Sequence, residues 1–160
     1  MISMTHSVPT MLAALSLLAG AAQAEPRPFA ALNGTWSGGG TLTMASGTQD
    51  RLRCQANYRP GQGGEQLQLN IRCASDSYNF DLRSDVTSRN GQISGQWTEA
   101  SRNARGTVTG RANGERVQAH ARGDAFSAEL SLTTRGNRQS VAIRPQGTEV
   151  QQVSLALSRR

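Results

Sequence analysis

Few residues in this 160-residue chain have chemistry to offer, and their spacing assigns most of them to structure. The chain holds two histidines (His6 and His120), two cysteines (Cys54 and Cys73) and seventeen arginines, with no lysine. Two cysteines without a nearby histidine do not make a zinc site, and this pair is not a redox CxxC. A nucleophilic triad needs a histidine, yet His120 falls on the polar phase of its segment with Gln118 and Arg122. No G-x-S-x-G elbow occurs. The absence of lysine excludes a Schiff base and a Walker-type phosphate loop. Gly38-Gly39-Gly40 precedes a strand instead, where a kink or bulge is expected. Asp81 and Asp85 share a strand face, but Arg83 between them neutralises the pair on a solvated surface. Arg122-Gly123-Asp124 spells an integrin tripeptide, although Gly-Asp reads first as a turn. The expectation is a protein that is not an enzyme, with no catalytic, cofactor-binding or metal-ligating residues and no cofactor.

The cysteines belong to a hairpin. Leu52, Cys54, Ala56 and Tyr58 alternate on one strand, and Leu67, Leu69, Ile71 and Cys73 on the next. Arg59-Pro60-Gly61-Gln62-Gly63-Gly64 between them is dense in turn residues. Folding about Gly63-Gly64 pairs Cys54 with Cys73, Ala56 with Ile71 and Tyr58 with Leu69, so one register puts every apolar residue on one face. Facing residues of an antiparallel pair lie about 4.5–5.5 Å apart at Cα, within disulfide reach. A structural disulfide is expected.

The compartment follows from the N-terminus. Met11–Ala22 is an apolar run, too short as a helix for the roughly 30 Å hydrocarbon core, and Ala22-Gln23-Ala24 places small residues at a cleavage site. Residues 1–24 read as a signal peptide, residues 25–31 as an exposed N-terminal segment and residues 32–160 as one β-domain. The expected location is periplasmic or secreted, where a disulfide persists.

From Trp36 to the end, period-two segments alternate with Gly and Asn turns, including Asn90-Gly91 and Asn113-Gly114. About ten strands emerge, each apolar on one face only, which suits antiparallel hairpins. The fold class is all-β: an up-and-down meander of about 8–10 strands, which resolves its edges best by closing into a barrel, a twisted half-open sheet or a sandwich being the alternative. Seven aromatics are too few for the two girdles of an outer-membrane barrel. The formal net charge is +6, with arginine spread over nearly every strand and interleaved with acids. A nucleic-acid groove needs clustered arginine with stacking aromatics, so nucleic acid is not an expected partner. An anionic envelope component is.

Leu32-Asn33-Gly34-Thr35-Trp36 at the mouth of the first strand resembles the Gly-x-Trp start of the calycin superfamily, which includes lipocalins, fatty-acid-binding proteins and nitrobindins. Gly34-Thr35-Trp36-Ser37-Gly38-Gly39-Gly40 is similar to the nitrobindin opening in particular. Nitrobindins hold haem through a histidine near the C-terminus, and no histidine follows His120 here. The resemblance implies a calycin-like barrel binding a small apolar or amphipathic ligand. Trp36, Tyr78, Phe80, Trp97 and Phe126 are candidates for lining its cavity, the alternative being ordinary core filling, since a small barrel interior is usually packed by side chains. The order Gly34-Thr35-Trp36, Cys54, Cys73, Gly95-Gln96-Trp97 also resembles bacterial secreted metalloprotease inhibitors. That second resemblance implies a protease partner, engaged through Glu25-Pro26-Arg27-Pro28-Phe29.

Overall fold

Period-two patterning with turn residues at regular spacing dictates ten strands, and ten are formed. The computed structural model describes residues 27–160; the expected signal peptide, residues 1–24, lies outside the described residues. After a 3-10 turn at Ala30–Leu32 come β1 (Gly34–Met44), β2 (Gln49–Pro60), β3 (Gln66–Ala74), β4 (Asn79–Arg89) and β5 (Gln92–Glu99). The second half holds β6 (Ala104–Ala112), β7 (Arg116–Gly123), β8 (Ser127–Arg135), β9 (Arg138–Gln146) and β10 (Val150–Arg159). Each strand pairs antiparallel with its sequence neighbours, and β1 pairs with β10, which closes the barrel. No unpaired edge is left in such a ring.

Alternation decides what faces inward. Leu52, Cys54, Ala56 and Tyr58 are buried while, between them, Arg53 and Gln55 are exposed and Asn57 is half-buried. The outer wall is polar and the interior apolar, the reverse of a membrane barrel, whose outer band meets lipid. No helix among the described residues is long and apolar enough to cross a membrane.

The β2–β3 register is the expected one, with Cys54 opposite Cys73, Ala56 opposite Ile71 and Tyr58 opposite Leu69. The thiols are joined as a disulfide with Cα atoms 4.2 Å apart. Both cysteines face the interior and are buried. The bond closes a loop of sequence separation 19, which by chain entropy contributes roughly 3 kcal/mol. Replacing both cysteines by alanine is expected to lower the melting temperature by about 10 °C, and thiol labelling of the native protein should find no reactive cysteine. A double variant that melts with the wild type would remove this role for the bond.

The two Asn-Gly pairs make different turns. Asn90 and Gly91 both have positive φ, 51° and 78°, and join β4 to β5 in a two-residue loop, the geometry that follows the twist of the flanking strands. At Asn113-Gly114 only Gly114 has positive φ, and the Asn113 side chain instead accepts a 2.9 Å bond from the Arg116 N–H. The glycine triplet also differs from expectation. Gly38, Gly39 and Gly40 lie mid-strand in unbroken register, and the one shift between β1 and β10 falls at Thr43/Met44. What the triplet supplies is close approach: a Cβ on Gly40 would lie 1.8 Å from the Ser154 carbonyl oxygen.

The segment preceding β1 caps one end of the barrel. Within the stretch expected to be exposed, Arg27, Ala30 and Ala31 are exposed, whereas Pro28 and Phe29 are buried. Phe29 is 0% accessible because its ring fills the barrel end, where an apolar surface is available to cover it. Its N–H donates to the Gly64 carbonyl at 3.1 Å, tying the segment to the β2–β3 turn.

Candidate ligand cavity

Small residues on the inner face create the site. The inward positions of β6 and β7 that border the cavities are Ala104, Val108, Val117, Ala119 and Ala121, none of which reaches far toward the barrel axis. The space they leave is occupied by two cavities, a deep one of about 110 Å³ and an outer one of about 340 Å³. They share Phe80, Leu82, Trp97, Ala121, Leu130 and Ile143 as common walls. The outer volume lies at the lower end of the roughly 300–1,000 Å³ typical of small-molecule sites.

The deep end is shut. Phe29 and Leu32 line it from the N-terminal segment. Arg159 lies over the Trp36 ring at 4.5 Å and donates to the Ala31 and Asn33 carbonyls at 2.6 and 2.8 Å. Trp36 Nε1–H donates to the Leu32 carbonyl at 2.7 Å, so three successive carbonyls of the cap are bound to side chains of the barrel. Below the cap, the Tyr58 hydroxyl donates to Gln139 Oε1 at 2.8 Å, and Gln139 Nε2–H donates to Thr134 Oγ1. Burial raises the Tyr58 pKa far above its ordinary value despite the bond to Gln139, so the phenol stays neutral.

The opposite end opens between the β3–β4, β5–β6, β7–β8 and β9–β10 turns. Tyr78, Phe80, Trp97 and Phe126, four of the five aromatics expected to line a cavity, all border the outer chamber. Trp36 does not; it is sealed in the cap. Trp97 and Phe126 pack with centroids 5.2 Å apart, and Trp97 Nε1–H donates to the Thr107 carbonyl. The indole is held flat against the wall by glycine: a Cβ on Gly106 would sit 2.9 Å from Trp97 Cε2.

Two polar residues at the mouth were not among those candidates. Glu99, 7% accessible, accepts backbone N–H bonds from Asp81, Ser101 and Arg102 at 2.9, 3.1 and 2.8 Å. Arg102 lies 3.7 Å from that carboxylate, stacks over the Tyr78 ring at 4.3 Å and donates to the Asn79 carbonyl. Their sequence signal is a carboxylate in phase with Ile93, Gly95 and Trp97, a charge where alternation demands an apolar residue. Burial opposes the charge on Glu99, but the three N–H donors outweigh it and hold the carboxyl below its ordinary value of 4.5. A lowered folded-state value means the carboxylate stabilises the fold above the unfolded pKa and loses that effect as pH falls through the folded one. Glu99→Gln should therefore melt below the wild type at neutral pH, with the gap closing in acid. A pH-independent gap would show that the charge is irrelevant.

No protein-family model and no curated protein matches the chain. Among solved structures, the S-type phycobiliprotein lyase CPES from Guillardia theta is similar, with a TM-score of 0.56 over 82% of this chain and 89% of that one. The chain has a calycin-like barrel fold. At 12% identity the likeness is one of fold. The calycin-like barrel has Asp81, Arg83 and Asp85 on its outer wall, where Arg72 and Arg83 lie 3.0 and 3.9 Å from the Asp81 carboxylate. His120 is likewise outside, 2.6 Å from Glu129 across β7–β8 and away from both chambers.

Proposed function

We propose that the protein is an exported, non-catalytic carrier that holds a small apolar or amphipathic molecule in the outer chamber. One observation carries this reading: a 340 Å³ chamber with apolar and aromatic walls, shut below and open above. Such a shape rewards ligand burial at roughly 25 cal/mol per Å² of apolar surface, while Arg102 and Glu99 at the mouth offer polar partners to a headgroup. The likeness to a phycobiliprotein lyase supports a fold suited to this use. Export is supported by the leader-like residues 1–24 and by a buried disulfide, which forms in oxidising compartments. The protease-inhibitor reading needs a free N-terminal tail, and Pro28 and Phe29 are committed to the barrel end instead.

The test is titration with a fluorescent fatty acid, followed by native mass spectrometry of protein purified from its own compartment. Ala104 borders the outer chamber and is not fully buried, so Ala104→Trp fills the chamber near its mouth. Affinity should fall at least tenfold, about 1.4 kcal/mol, with little change in melting temperature. Saturable binding that Ala104→Trp leaves intact would place the ligand elsewhere.

A further inference from the structure

An up-and-down barrel sorts its charges by end, because every second turn lies on the same side. The capped end gathers the two chain segments and the β2–β3, β4–β5, β6–β7 and β8–β9 turns. Among the described residues, counting turns, flanking segments and the two strand residues next to them, that end carries nine arginines against Glu65 and Glu115. Arg111 and Arg116 flank one turn and Arg135 and Arg138 the next, and all four side chains are exposed. By the same count the open end carries three arginines, Arg102, Arg105 and Arg122, against five carboxylates. The ion pairs follow the same division: among the described residues none involves an arginine of the capped end. The barrel is a dipole, with arginine in excess at the capped end and carboxylate in excess at the open one.

We infer that the capped end docks on an anionic lipid surface, with the ligand mouth turned toward the aqueous side. Turns arranged in a ring present their arginines together to a plane, and each arginine near an anionic bilayer contributes about 1 kcal/mol, roughly fivefold in affinity. The acidic open end is repelled by the same surface, so the orientation is set by both poles. Single-stranded nucleic acid fits less well, since stacking needs exposed aromatics and the aromatics of this end, Phe29, Trp36 and Tyr58, are buried. The inference stands on charge placement and does not depend on the chamber holding a ligand.

The experiment is co-sedimentation of the mature protein with phosphatidylcholine vesicles, with and without phosphatidylglycerol. Binding is expected only with phosphatidylglycerol, and should vanish near 1 M salt, where screening shortens to about 3 Å. The combined change Arg111→Gln, Arg116→Gln, Arg135→Gln and Arg138→Gln should weaken it several hundredfold. The control Arg51→Gln, Arg53→Gln, Arg105→Gln and Arg122→Gln removes equal charge from the other half of the barrel and should leave binding within about fivefold of the wild type. Melting curves check both proteins, and the pair Arg116→Gln with Arg138→Gln serves if the fourfold change unfolds. Equal weakening by the two sets, no binding to the anionic vesicles, or tighter binding to a DNA duplex than to them would each overturn the docking assignment. Fatty-acid titration of the same variants reads the chamber separately.

Discussion

Gly40→Ala should break the seam that closes the barrel. The added Cβ would lie 1.8 Å from the Ser154 carbonyl oxygen and 2.9 Å from the Leu155 Cα, both backbone atoms of β10. Neither can rotate away as a side chain can, so β1 and β10 must part and lose ladder hydrogen bonds around Gly40↔Leu155. Overpacking alone costs typically 1–3 kcal/mol, and lost backbone bonds add to it, giving about 4 kcal/mol against a typical total of about 5–15. Gly47→Ala is the control. Gly47 sits at φ +89° with open space around it, so its alanine variant should lose only about 1 kcal/mol from backbone strain. Chemical denaturation of the three proteins measures the difference, and equal losses in both variants would refute the close-approach argument.

Phe29→Ala is expected to be nearly as damaging. The ring is fully buried and lines the deep chamber, so its removal loses apolar burial and enlarges a cavity that side chains around it cannot fill. Phenylalanine truncations of this kind cost about 3–5 kcal/mol, on the order of 10–20 °C in melting temperature for a domain of this size. Trimming the chain only as far as Pro26 should leave the melting temperature unchanged. A Phe29→Ala protein as stable as the wild type would show that the cap is not part of the folded unit. This expectation is the reverse of what a free inhibitory tail requires, since such a tail can be cut back through Phe29 without loss.

Alternation made most of the barrel legible in the sequence. Side chains on a strand point to opposite faces by covalent geometry, so the apolar phase of Leu52–Tyr58 and Leu67–Cys73 determined register, and register determined the disulfide. Ten strands, their antiparallel order and the outward placement of His120, Asp81 and Asp85 follow from the same rule. Three charges stand on the apolar phase, Asp50, Glu99 and Arg159, and the last two are informative. Each proves to lie where the barrel ends and backbone groups await partners, Glu99 among three N–H donors and Arg159 beneath two carbonyls.

Closure decided the remainder. Whether Trp36 lines a chamber or seals a cap depends on its height along the barrel, and alternation gives a face without a height. Phe29 precedes the first strand and has no phase at all, so only the closed ring provides the apolar end that buries it. The empty volume is likewise a sum over ten inner faces, and small residues at Ala104, Ala119 and Ala121 become a chamber only when the opposite walls are placed. Arginine interleaved with acid along the chain looks dispersed, but antiparallel folding brings alternate turns together. That is how a sequence with no basic cluster acquires a basic pole.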